Sequence, residues 1–154
     1  MAKVALNIGC GDLHKKSDED FKWVNLDWVE PADVVADVRD GLPYEENHVD
    51  YAEADNLLEH LDNEEFMFVL NDWHRVIKPD GKLWFKVPDA LHWMDGAFGD
   101  PTHKRFFVPR SFLYFDVDSP TGKNYGQPYG FKPWKIHKLE TDNKFFTCIM
   151  SPVK

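Results

Sequence analysis

Carboxylates and glycines recur at the ends of apolar runs in this chain. Gly9 and Gly11 flank Cys10 and precede Asp12 in "LNIGCGD"; Asp27 ends "VNLD", Asp37 ends "DVVAD", and Asp55, Asn56 and Leu57 follow "VDYAEA". Glycine reaches dihedrals that a side chain forbids and lets a ligand lie against the main chain. Several carboxylates at one rim would repel a bare phosphate. They suit a ligand rich in hydroxyl, amine or positive charge. Asp27 could take two ribose hydroxyls and Asp37 an exocyclic amine, with Val38 and Leu57 offering apolar contact to a flat ring. The dinucleotide fingerprint G-x-G-x-x-G is incomplete, because position 14 is His. Each Asp taken alone could instead simply cap a turn.

Proton transfer near neutral pH points to histidine. His60 in "NLLEHL" and His103 in "DPTHKRFF" are the candidates, with Arg105 as an anion anchor and His92 and Trp93 as weaker options. His74 falls inside a helical stripe and suggests no chemistry. The seven histidines include no H-E-x-x-H pair, and Cys10 and Cys148 lie far apart, so no metal site and no disulfide framework are expected. Cys10 reads as small filler between the glycines.

These residues need strands to hold them. The chain has 154 residues, 43% hydrophobic and 15% aromatic, enough for one domain over 1–154 with one core. A net charge of -9 argues against a nucleic-acid surface, which carries a basic patch. No apolar run reaches the roughly 20 residues of a membrane span, and no signal peptide is evident, so a cytoplasmic protein is expected. The pattern predicts strands over 3–8, 23–27, 33–37, 49–53 and 82–87, with connections after the first two that are too short for helical crossovers. A helical turn is expected at Leu57–Leu61. Asp62 and Glu65 form a capping box for a helix over 63–77, whose stripe is Phe66, Val69, Leu70, Trp73, Val76 and Ile77. Pro79-Asp80-Gly81 would then turn the chain into the fifth strand. Residues 88–111 show little periodicity beyond a turn of helix after Pro109. Residues 118–133 read as a surface loop, and "WKIHKLE" with "KFFTCIMS" as an antiparallel hairpin. The fold class is α/β: a Rossmann-like, mostly parallel sheet with a C-terminal antiparallel hairpin and reduced helices after strands one and two.

"LNIGCGD", "VNLD", "ADVRDGLPYEENHVD", "NLLEHL" and "HRVIKPDGKLWFKVPD" together resemble the small class I S-adenosylmethionine-dependent methyltransferases, in particular the type-11-like branch. The likeness covers residues 4–88 densely, and "DPTHKRFF" also resembles a segment of that branch. It implies S-adenosyl-L-methionine as cofactor and methyl transfer to a small-molecule acceptor. Gly9, Cys10, Gly11 and Asp12 would lie along the methionine side, Asp27 at the ribose and Asp37 and Val38 by the adenine. Asp55, Asn56 and Leu57 would form the far wall, and His14 would either touch the cofactor's carboxylate tail or lie exposed. The cofactor lacks phosphate and carries an ammonium and a sulfonium, which suits an acidic rim. His103 would then be the base or orienting group, with Arg105, Lys104 and Lys132 as local positive charge and His60 as the alternative base.

Two other functions stay open on the sequence. A nicotinamide-dependent enzyme shares an acid after strand two, but the missing glycine and short first crossover count against it. A non-catalytic S-adenosylmethionine-binding or partner protein would keep the fold without turnover. The aromatic residues of 106–134 suit either a substrate groove or a homodimer contact.

Overall fold

The short apolar runs form β1 (Lys3–Ile8), β2 (Phe21–Asp27), β3 (Val34–Val35), β4 (Val49–Asp55) and β5 (Ile77–Pro88), followed by β6 (Trp134–Thr141) and β7 (Phe145–Pro152). The computed structural model describes residues 1–154 and assembles these strands into one sheet of order β3-β2-β1-β4-β5-β7-β6. The first five pair in parallel, while β7 runs antiparallel to both β5 and β6. The chain steps from β1 through β2 to β3 on one side, then crosses back to lay β4 on the other. The carboxyl ends of β1, β2 and β4 therefore meet at the point where strand order reverses, the place where open α/β sheets take ligands.

Helices α1 (Asn63–Val76) and α2 (Met94–Phe98) accompany the sheet. Asp62 Oδ1 accepts from the Glu64 and Glu65 amides at 3.0 and 2.9 Å, and Glu65 Oε2 accepts from the Asp62 amide at 2.8 Å. This closes the capping box at the start of α1, a feature that contributes about 1 kcal/mol. Phe66, Val69, Leu70, Trp73 and Val76 are buried along one stripe, and they join Leu6, Ile8, Leu83 and Phe85 in a single core.

No helix follows β1 or β2. Asn7 and Asn25, direct neighbours in the parallel register, hold irregular chain in that place. Asn7 Nδ2 donates to Leu13 O at 2.7 Å and to Asn25 Oδ1 at 3.0 Å. Asn25 Oδ1 also accepts from the Lys15 amide at 2.7 Å, and Asn25 Nδ2 donates to Lys15 O and Asp33 Oδ2 at 3.0 and 2.8 Å. Two side-chain amides thus satisfy backbone groups that a helix would have satisfied internally.

Several boundaries differ from expectation. β2 begins at Phe21, β4 extends to Asp55, and β3 is only two residues long. Pro79-Asp80-Gly81 does not separate α1 from a later strand: Ile77 already pairs with Val49, and the next pair is Lys82 with Tyr51, so the tripeptide bulges out of β5. α2 was not anticipated, because "MDGAF" carries Gly and Asp and lacks helical periodicity; burial of Ala97 anchors it. Within 118–133, read as loop, Gly122–Gly126 forms a turn of π-helix whose first amide donates to the Ser119 hydroxyl at 2.8 Å. No helix is long and apolar enough to cross a membrane.

Candidate functional site

The chain leaves β1 through Gly9 and Gly11, both at positive φ (69° and 47°). The Gly9 and Cys10 amides donate to Leu26 O at 2.8 and 3.1 Å, and the Gly11 amide donates to Asp27 Oδ2 at 2.9 Å. A Cβ on Gly9 would lie 3.1 Å from Leu57 Cδ1, whereas the space around Gly11 is open. The loop therefore runs close beside the end of β4, and a cavity of about 490 Å³ opens above it.

Gly9, Gly11 and Asp27 line this cavity together with the apolar Leu26, Ala36, Val38, Leu57 and Leu61. Asp37 lines it too. It caps the 3₁₀ turn Val38–Asp40 and binds Arg39, whose Nη2 is 2.6 Å from Asp37 Oδ2. Hydrogen bonding to Arg39 holds the Asp37 carboxyl below the usual range. The guanidinium also stands 5.1 Å from the centre of the Trp28 ring. Trp28 and Arg39 both line the cavity and were missed from sequence. The signals were an exposed tryptophan beside a strand-end Asp and an Asp-x-Arg turn.

His60, Thr102 and Lys104 also line the cavity. His60 sits at the end of the 3₁₀ turn Leu58–His60, inside the helical turn expected there. Its Nδ1 is 3.3 Å from Thr102 O and 3.2 Å from Thr102 Oγ1, and burial lowers its pKa. The Lys104 and Arg105 amides donate to Glu59 O at 2.8 and 3.1 Å, fastening residues 102–105 to this turn. Lys104 Nζ reaches Glu65 Oε2 at 3.3 Å.

Other expected site residues lie off the cavity lining. Cys10 is buried, and burial pushes its thiol up, which fits an inert filler. Asp12 is exposed. Asp55 pairs with Lys86 Nζ at 2.8 Å, and Asn56 turns the chain at φ 52°, so of that trio only Leu57 reaches the cavity. The His103 side chain is 7% exposed; its Nδ1 donates to Ala97 O at 2.8 Å and its Nε2 is 3.6 Å from Asp100 Oδ2. Arg105 stacks 4.2 Å from the Phe66 ring centre and bonds Asn63 Oδ1. Of this segment and the turn it is fastened to, His60, Thr102 and Lys104 line the cavity, whereas His103 and Arg105 do not. His92 Nδ1 binds the buried Asp89 at 2.7 Å, and His14 bonds Pro31 O at 3.0 Å.

Glu59 was overlooked entirely. It is 1% exposed, neither carboxylate oxygen has a hydrogen-bond partner, and burial pushes its carboxyl up to about 7. Where no metal constellation was expected, Glu59, His60 and His103 each place a ligand-type atom within 4.8 Å of the others. The signal was a Glu-His pair in an apolar turn together with a distant Asp-Pro-Thr-His, a spacing that only the fold closes.

A family profile described as a methyltransferase domain matches residues 6–85. No curated protein matches the chain. Among solved structures, a SAM-dependent methyltransferase from Archaeoglobus fulgidus is similar at TM-score 0.65 and 17% identity, over 97% of this chain and 86% of that one. A type 11 methyltransferase from Sulfolobus solfataricus, described as putative, gives 0.61 and 16%, over 98% and 84%. The 1,6-didemethyltoxoflavin-N1-methyltransferase of Burkholderia thailandensis, solved with 1,6-didemethyltoxoflavin and S-adenosylhomocysteine bound, gives 0.66 and 13%, over 99% and 72%. At these identities the likeness is one of fold.

Proposed function

This chain belongs to the methyltransferase domain family and is an S-adenosylmethionine-dependent methyltransferase; from that premise we propose that the cavity above Gly9 and Gly11 holds the cofactor and that His60, Thr102 and Lys104 face a small acceptor. The observation that carries this reading is the placement of Asp27. Its carboxylate stands at the carboxyl end of β2, bonded to the glycine turn and lining an apolar cleft. There it can accept from two ribose hydroxyls while Val38 and Leu57 flank the adenine. Asp37, already bound by Arg39, fixes the Arg39–Trp28 pair on the adenine side.

Bound S-adenosylmethionine supplies an electrophilic methyl group on sulfur. The protein's contribution is to align the acceptor with that carbon and exclude water from it. Lys104 brings positive charge to the acceptor end, where it attracts an anionic small molecule in an otherwise acidic protein. His60, kept neutral by burial, offers a ring nitrogen to orient the acceptor. Calorimetric titration with S-adenosylhomocysteine tests the cofactor half. Saturable binding that Asp27→Asn weakens supports the reading, and equal affinity for both forms of the protein overturns it.

A further inference from the structure

Glu59 stands out because burial without a partner is costly for a carboxylate, and its two oxygens have none. Around it the sequence has gathered two imidazoles from different parts of the chain. One oxygen of Glu59 and one nitrogen each from His60 and His103 lie within 4.8 Å of one another. The two rings stand edge to face with their centres 4.8 Å apart.

Their tautomers follow from their other contacts. Ala97 O can only accept, so the His103 Nδ1 that meets it at 2.8 Å carries the proton and leaves Nε2 with a lone pair. His60 Nδ1 faces Thr102 O at 3.3 Å and takes the same form. Histidines that bind metals characteristically donate the second ring N–H to a backbone carbonyl or carboxylate, which fixes the ring and raises its basicity. Both rings already do so.

We propose that Glu59, His60 and His103 form a binding site for one divalent transition-metal ion of the zinc type, set beside the acceptor end of the cavity. Two imidazoles and one carboxylate suit zinc and its neighbours far better than magnesium or calcium, which favour all-oxygen sets. The ion supplies the positive charge that the buried carboxylate lacks. Asp100, whose Oδ2 is 3.6 Å from His103 Nε2, adds a second carboxylate nearby. Bonds of about 2.0–2.2 Å in a tetrahedral site place donors roughly 3.5 Å apart, so side-chain movement of about 1 Å closes the set. Three protein ligands leave a coordination position, and His60 is shared with the cavity wall. On the reading of the cavity given above, an oxygen or sulfur of the acceptor takes that position.

The test uses the tag-free, full-length protein, stripped with a chelator and dialysed. It is titrated with Zn²⁺ alone by calorimetry and with Co²⁺ alone by visible absorption. The expected result is about one Zn²⁺ per chain and the intense ligand-field bands of a four- or five-coordinate Co²⁺ site. Glu59→Gln and His103→Ala should each weaken Zn²⁺ binding by about a hundredfold or more, while His137→Ala, on β6 and bonded to Ser151, leaves it unchanged. Folding of each variant is checked by circular dichroism. Absence of stoichiometric binding, or unchanged binding by folded Glu59→Gln and His103→Ala, overturns the site. Should both variants unfold, the Co²⁺ spectrum of the parent decides: weak octahedral bands overturn it. S-adenosylhomocysteine titrated into the same samples separates the two readings, since loss of metal binding leaves the cofactor site standing, and the reverse holds.

Discussion

Asp27 and Gly11 are joined directly, the Gly11 amide donating to Asp27 Oδ2 at 2.9 Å. The carboxylate that we propose receives ribose hydroxyls also fixes the glycine loop. The two tasks separate under substitution. In Asp27→Asn the amide oxygen still accepts from Gly11, so the loop holds, but the charge is gone. Loss of charge-assisted contacts to two hydroxyls should cost about 1.5–3 kcal/mol, or roughly ten- to a hundredfold in affinity for S-adenosylhomocysteine. Asp27→Ala removes the loop contact as well and should bind more weakly still. Calorimetry on both variants, with melting curves alongside, gives the comparison.

Gly9 and Gly11 share a positive φ but differ in surroundings. Alanine in the left-handed region costs about 1–2 kcal/mol at either position. At Gly9 the new Cβ must also displace Leu57, 3.1 Å away, which lines the cavity. Gly9→Ala should therefore lower both stability and cofactor affinity. Gly11 also lines the cavity, so Gly11→Ala sets a Cβ beside the proposed cofactor and should weaken its binding too, without displacing Leu57. Denaturant unfolding and titration of the pair check this, and cofactor affinity unchanged in either folded variant would contradict it.

β1 was readable to its last residue because it is an apolar run that stops at a glycine turn, and the cap at Asp62 and Glu65 is a local pattern of four residues. β4 and β5 were placed but not bounded, since β4 runs on to Asp55 and β5 takes in Ile77 to Gly81. Local signals also marked Asp27 and the glycine turn. The far wall was harder. Whether Asp55 or Leu57 faces the cavity depends on how β4 leaves the sheet, and Asn56 at φ 52° settles that through a single residue. The orientation of His103 was hard to read for a related reason. Its segment does reach the site, but Thr102 and Lys104 line the cavity while His103 folds back on Ala97 O. Alternation within an irregular segment is not written in hydrophobicity. Glu59 was invisible because a charged residue in a short turn normally reads as exposed.

His74 links helix α1 to the chain just before β6 and just after β7. Its Nε2–H is shared between Pro133 O at 2.9 Å and Val153 O at 3.1 Å, and burial lowers its pKa. The folded state therefore takes up a proton less readily than the unfolded chain, whose histidines titrate near about 6.5. This stabilisation is full above that value and is lost as pH falls from about 6.5 through the lower folded pKa. His60 shifts the same way and adds to the slope. Glu59, its carboxyl raised to about 7 by burial, works in the opposite sense across the same range. The contribution of His74 is therefore read by comparing the parent with His74→Leu in urea between pH 7.5 and 5.5. His74→Leu should start lower, having lost its hydrogen bonds, and the gap between the two midpoints should narrow as pH falls. A parallel pH dependence in the two proteins would remove His74 as a source.

The proposed acceptor site separates two neighbouring cations. Lys104 lines the cavity, held loosely by Glu65 at 3.3 Å, whereas Arg105 packs over Phe66 and bonds Asn63. Measurement begins with a screen of small hydroxyl, amine and carboxylate compounds by S-adenosylhomocysteine release. With an anionic acceptor in hand, Lys104→Ala should raise KM by about tenfold, the scale of one lost charge contact, and leave cofactor affinity within about threefold. Arg105→Ala should instead lower the melting temperature, because a stacked guanidinium is removed from above a core aromatic, while the folded fraction keeps its KM. His60→Ala, in the same cavity lining, should cut kcat by roughly a hundredfold, whether the ring meets the acceptor directly or through a bound ion. The opposite pattern, with KM sensitive to Arg105 and indifferent to Lys104, would mean that residues 100–107 present a different face to the acceptor, and His103 would return as the group beside it.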